Sequence, residues 1–194
     1  EAHHLPGLRA YVGTGVSDAK PVLRIDWCTA EAARYAVENW HYSKRMPMPP
    51  FVRVGAWEDG KYIGCVLFSR GARPELGKRY GCSETQACEL TRVALTSHTV
   101  PVSRVLAIAF KFLKKKSPGL RLIISFADPS EGHHGGIYQA GGWVYTGTSS
   151  PENLYLHEGR WKHRREVMGG AFGGKRQIAT GDKGLVKKPC PGKH

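Results

Sequence analysis

The sequence predicts a single α/β domain built on one central mixed β-sheet flanked by helices. Three observations predict it. The chain has 194 residues, enough for one buried core, and 41% of them are hydrophobic, the share of an ordinary soluble protein. Apolar residues recur at strand and helix spacings in the order strand, helix, hairpin, strand, helix, strand, helix, strand, hairpin. The run LRLIISFAD at 120–128 is nearly continuous in apolar character, the pattern of a central strand buried on both faces. A Rossmann domain would need a Gly-rich turn after its first strand, and IDWCTAE at 25–31 supplies none.

Each element has its own signal. Residues 1–20 are Gly-rich and aperiodic and read as a loose arm. PVLRID at 21–26 is the first strand. Thr29 is the N-cap of a helix over 30–40, with Ala33, Ala36, Val37 and Trp40 on one face. His41-Tyr42-Ser43 then leads through Lys44 and Arg45 into the Pro-rich MPMPP, an extended loop. FVRVGAW, the turn Glu58-Asp59-Gly60 and KYIGCVLF make a hairpin. A polar Gly/Arg loop follows over 70–85, then a strand around 88–95. The next helix spans 101–116, with Pro101 at its start and Val102, Val105, Leu106, Ala109 and Leu113 as its apolar stripe. Lys114, Lys115 and Lys116 suit the negative end of its dipole. After the 120–128 strand come a short helix around 133–140, a strand at GGWVYTG, and a closing hairpin at 154–157 and 161–167. One folded domain is thus expected over 21–167, with a Gly/Lys-rich basic tail over 168–194.

Charge narrows the function class. Lys and Arg exceed Asp and Glu by 29 to 16, a net +13 with a pI near 9.7. Ten basic residues and two acidic ones lie between Arg160 and His194. Such an excess favours a polyanionic partner, nucleic acid above all, although a solubility charge would look the same. No stretch approaches the ~18–20 apolar residues of a membrane span, and EAHHLPGLRA has no apolar core of a secretory signal. Five scattered cysteines without a CxxC pair point away from disulfides and zinc fingers and toward a reducing cytoplasm.

Several side chains sit where chemistry is possible. His41 follows an amphipathic helix and precedes a rigid loop, a place to present a ring at a pocket mouth; equally, it is a helix C-terminal cation. Asp128 ends the most apolar run, at the carboxyl end of a strand where α/β sheets bind ligands, or else it caps the next turn. Tyr138 is a candidate acid or a plain core aromatic. Glu89 and Arg92, three apart on one strand, project to opposite faces if that strand is regular, leaving Arg92 to hold an anion. Ser103 and Arg104 open the long helix, a natural anion site. Asp128 with His133 is the candidate start of a two-His-one-carboxylate iron site, with His41, His134, His157 and His163 within possible approach.

Six segments carry a resemblance. They are Trp40-His41-Tyr42-Ser43, Gly55-Ala56-Trp57-Glu58-Asp59-Gly60, Glu89-Leu90-Thr91-Arg92-Val93-Ala94, Ser125-Phe126-Ala127-Asp128, and the pair Gly135–Ala140 and Trp143–Gly147. Together they resemble the Mom DNA-modification proteins of Mu-like bacteriophages, over roughly residues 22–166. The element order is similar to that of the acyl-CoA-dependent N-acetyltransferase (GNAT) superfamily. The resemblance implies a GNAT-like fold and an enzyme that adds a small carbamoylmethyl (acetamide-type) group to adenine N6 in phage DNA, protecting it from host restriction. It implies Tyr138 as the acid, His41 or Asp128 as the base, and Arg92, Ser103 and Arg104 around the donor, with Ser103 also counted among the catalytic residues.

The donor does not follow from the resemblance. Acetyltransferases wrap a pyrophosphate in a Gly-rich loop, whereas Ser97–Arg104 contains no glycine, so acetyl-CoA is doubtful. Acetyl transfer also gives an amide, while a carbamoylmethyl group joins nitrogen to a methylene carbon. A different activated two-carbon donor is expected, in the groove between the 88–95 and 120–128 strands. Adenine N6 lies in the Watson–Crick edge, so double-stranded DNA would have to present a flipped base. Trp40, Tyr42, Phe51 and Trp57 are candidates to stack on it, and Lys44, Arg45, Arg70, Arg73, Lys175 and Arg176 to hold phosphates. The expected molecule is a monomer or weak dimer in the cytoplasm of the infected host. The rivals are an acetyl-CoA-dependent N-acetyltransferase of small molecules or proteins, and a basic DNA-binding protein without activity.

Overall fold

The structure, a computed structural model, describes residues 20–71, 75–150, 152–157, 159–163 and 187–190. Strand β1 (Leu23–Trp27) leads to helix α1 (Ala30–Trp40), where the Thr29 hydroxyl accepts from the Ala32 amide at 3.2 Å, as an N-cap should. Strands β2 (Phe51–Glu58) and β3 (Lys61–Ser69) form the expected hairpin. Its turn residues Asp59 and Gly60 both have positive φ, 49° and 81°, the twist a two-residue hairpin loop needs. Then follow β4 (Ala87–Leu95), α2 (Val102–Lys116), β5 (Leu122–Ser125) and the short helix α3 (Gly136–Ala140).

These five strands make one sheet in the order β1-β2-β3-β4-β5, antiparallel except for the parallel β4–β5 pair. The alternation along β3 decides what covers each face. Cys65 and Leu67 pack with Ala33, Ala36 and Val37 of α1, while Val66 and Phe68 pack with Val105, Leu106 and Ala109 of α2. The mixed α/β architecture is therefore as expected, a sheet between helices. None of Cys28, Cys65, Cys82 and Cys88 is disulfide-bonded. No helix among the described residues is long and apolar enough to cross a membrane.

Four details differ from the sequence expectation. GGWVYTG forms no strand. The Trp143 amide closes the end of α3 on the Tyr138 carbonyl, Gly142 turns at φ 69°, and Val144 and Tyr145 are left exposed. With no strand there, β5 is an edge of the described sheet and its residues are only half-buried, although its apolar run suggested a centre. The helix expected around 133–140 is shorter, because Gly135 at φ 81° separates α3 from a single 3₁₀ turn at Pro129–Glu131. Finally, β6 (Glu152–His157) and β7 (Arg160–His163) do not join the main sheet. They form a second sheet, β7-β6-β8, with β8 (Lys187–Cys190) drawn from the segment expected to be tail. The rest of that segment, with Lys175 and Arg176, lies outside the described residues, as do residues 1–19 and Arg73.

Candidate functional site

β5 pairs with β4 only from Ala87 to Leu90; beyond the last partners, Leu90 and Ser125, the two strands part. A cavity of about 640 Å³ opens there, a size suited to a small ligand. Trp40, His41 and Tyr42 from the end of α1 line it, with Leu90–Val93 and Leu95 of β4, His98, Val102, Phe126, Ala127 and residues 132–138. It is the groove between the two parallel strands in which the sequence placed the donor.

Arg92 reaches this cavity through a bulge. The β3–β4 register jumps from Leu67↔Arg92 to Phe68↔Leu90, leaving Thr91 as the extra residue. Leu90 and Val93 consequently pack in the same core layer although they are three apart. By the same parity Glu89 and Arg92 share the other face; burial lowers the Arg92 pKa, and the charges of Tyr42 and Glu89 work against that. The expectation of opposite faces assumed a regular strand and is corrected. Arg92 also donates to the Arg45 carbonyl at 3.2 Å and to the Thr91 carbonyl at 2.7 Å, which holds the guanidinium in place.

His41 is 7% exposed. Its Nδ1 accepts from the Ser43 amide at 3.1 Å and lies 2.8 Å from the Ser43 hydroxyl. An amide can only donate, so in the neutral ring the proton sits on Nε2. Burial first, then the charges of Arg92, His133 and Lys44, push the imidazole down to about 4. Near neutral pH His41 is therefore an uncharged hydrogen-bond donor, and this geometry does not give it the role of base. Its ring lies 4.3 Å from that of Tyr42, which in turn meets His133 edge-on at 4.7 Å.

Tyr138 sits at the point where the strands part. Ser125 Oγ lies 3.0 Å from the Leu90 carbonyl and 2.8 Å from the Tyr138 hydroxyl. The serine has one proton, so when it donates to Tyr138 the phenol proton is available to a third group. Burial raises the Tyr138 pKa and keeps that proton in place, while the ring packs 5.1 Å from Trp143.

Other sequence candidates lie elsewhere. Asp128 is buried and does not line the cavity; its carbonyl accepts the Glu131 and His133 amides and so shapes the turn that carries His133. Ser103 is half-buried in the first turn of α2 and Arg104 is exposed, and neither lines the cavity. No group of three or more His, Cys, Asp or Glu among the described residues is placed to hold a metal, so the iron set is not assembled there. Of the stacking candidates, Trp40 and Tyr42 line the cavity, whereas Phe51 and Trp57 do not. Trp57 instead carries the Arg24 guanidinium over its ring at 4.1 Å. Lys44, Arg45 and Arg70 are exposed.

Sequence reasoning missed Phe126 and His98. Phe126, 38% exposed, lines the cavity just past the last paired residue of β5. His98 lies just beyond β4, and its position at the carboxyl end of a strand was a signal for it. Glu58 was equally hidden. Its carboxylate accepts the Thr99 amide at 3.0 Å and the Val100 amide at 2.7 Å. The loop before α2 is thus already occupied by an internal anion.

Known proteins match this chain along nearly its whole length. "Methylcarbamoylase mom" of Escherichia phage Mu is 25% identical over 190 residues, covering 94% of this chain and 78% of that protein. A model of the Mom protein family matches residues 22–189, a span that includes the five-stranded sheet and every described residue lining the cavity. The chain belongs to the Mom protein family.

Proposed function

We propose that the chain is a phage DNA-modification enzyme that adds a carbamoylmethyl group to adenine N6 and thereby shields the DNA from host restriction, acting in the host cytoplasm. The observation that carries this reading is one cavity holding His41, Arg92 and Tyr138 together in a member of the Mom family. A relative named a methylcarbamoylase agrees with it. The parallel pair that parts at Leu90 and Ser125, between helices, suits an acetyltransferase-like scaffold. Tyr138 supplies the proton to the leaving group, Arg92 holds the donor's polar end, and neutral His41 donates a hydrogen bond. Tyr42 and Phe126, aromatic and partly exposed at the cavity, stack on a flipped base, and the basic surface holds the backbone.

The donor in this reading is a small activated two-carbon compound without a pyrophosphate. A pyrophosphate at the α2 loop would compete with the Glu58 carboxylate for the Thr99 and Val100 amides and be repelled by it. Nucleoside mass spectrometry of plasmid DNA from cells expressing the chain tests the reaction. A carbamoylmethyl-adenine peak is expected. Unmodified plasmid with intact DNA binding would favour a non-enzymatic DNA-binding protein. Tight acetyl-CoA binding, with its acetyl carbons recovered in the base, would overturn the donor assignment.

A further inference from the structure

We propose that His98 is the proton acceptor of this reaction, a catalytic residue that takes the proton displaced from the attacking amine at its Nε2; this rests on the adenine-modification reading above. The ring lines the cavity that also holds Tyr138, Arg92 and His41. Its Nδ1 lies 2.6 Å from the Thr96 carbonyl oxygen. A carbonyl can only accept, so Nδ1 carries the proton and the neutral ring has its lone pair on Nε2. That is the opposite tautomer to His41, whose Nδ1 accepts and whose Nε2 donates.

The surroundings fix the ring. The Thr96 amide donates to the Ile63 carbonyl at 2.9 Å, tying the acceptor peptide to β3. On the other side, Glu58 pins the amides of Thr99 and Val100. With Nδ1 held by backbone, Nε2 is the ring nitrogen left to accept a proton. The rivals for the role are weaker: among the described residues no Asp or Glu lines the cavity, Asp128 included, and His41 presents a proton instead of a lone pair.

The step balances. Adenine N6 forms a bond to the methylene carbon of an acetamide-type electrophile, and the bond from that carbon to its leaving group breaks. Tyr138 gives its proton to the leaving group, and the proton lost from N6 goes to His98 Nε2. Proton return from His98 to the Tyr138 oxygen, through water, resets the site.

The test measures modified adenine by mass spectrometry in plasmid from cells expressing the full chain, and in added plasmid treated with extracts of those cells. His98→Ala should lower modification about 10²–10⁴-fold, the contribution of a general base, and added imidazole should restore part of it. His98→Asn, whose side-chain amide can replace Nδ1–H on the Thr96 carbonyl, should keep the fold and DNA binding yet stay inactive. Activity of His98→Asn close to wild type would make His98 a structural residue and overturn the proposal, leaving the adenine reading intact. Absence of modified adenine in plasmid from cells expressing the wild-type chain would overturn that reading, and this proposal with it.

Discussion

At the scale of single residues, the histidines show how neighbours assign opposite roles to identical rings. His41 has a folded pKa of about 4 against an ordinary 6.5. Between those values the unfolded chain takes up a proton at this ring and the folded chain does not. The part of stability linked to His41 should therefore fall as pH is lowered from 6.5 to about 4, by at most about 3 kcal/mol less whatever cavity water screens, with no further loss from this ring below. Urea unfolding of wild type and His41→Gln across this window checks it, since the variant should lose that part of the slope. Tyr138→Phe keeps the ring against Trp143 and removes only the hydroxyl. Modified adenine should fall about 10²-fold or more, while the melting temperature stays nearly unchanged. Part of this cavity was legible in the sequence: His41 follows from the end of an amphipathic helix, Tyr138 from the resemblance, and Arg92 was singled out on its strand but with the wrong facing. The tautomers were not legible, because they depend on which backbone groups meet each ring.

The elements were legible where one periodicity ruled. Thr29 and the Ala33, Ala36, Val37 face gave α1, and the buried stripe of α2 is the one its spacing predicts. Apolar character misled where it did not decide sheet position: LRLIISFAD supplied an edge strand of the described sheet, and the GGWVYTG pattern gave way to glycine turns. The bulge at Thr91 left no mark in the composition of β4, yet it decides where Arg92 points. Two substitutions probe these elements. Gly64 has φ 136°, and a Cβ there would collide with the Ala94 carbonyl, so Gly64→Ala should destabilise the β3–β4 pair by about 2 kcal/mol or more. Glu58→Ala removes the acceptor of the Thr99 and Val100 amides and should cost about 1–3 kcal/mol. Chemical denaturation measures both.

Across the whole molecule, a net charge of +13 sets how the protein would meet DNA. Affinity should fall steeply with salt, and replacing Lys175 and Arg176 by alanine should reduce the slope of log K against log salt by about 1.8 if both touch phosphates. Fluorescence titrations at several salt concentrations read this directly; an unchanged slope would move the contact surface toward Arg70 and Lys44. Removing the whole 169–194 segment would be a poorer test, because β8 would leave the second sheet. The tip of the β2–β3 hairpin has a wider consequence. Asp59 accepts the Val22 amide at 2.8 Å, and the adjacent Glu58 accepts those of Thr99 and Val100. Three amides from two segments far apart in the chain thus depend on one short turn. In hydrogen–deuterium exchange they should lose protection together, at the opening rate of that turn, so that fraying at its tip reaches β1 and the loop bearing His98 in a single event.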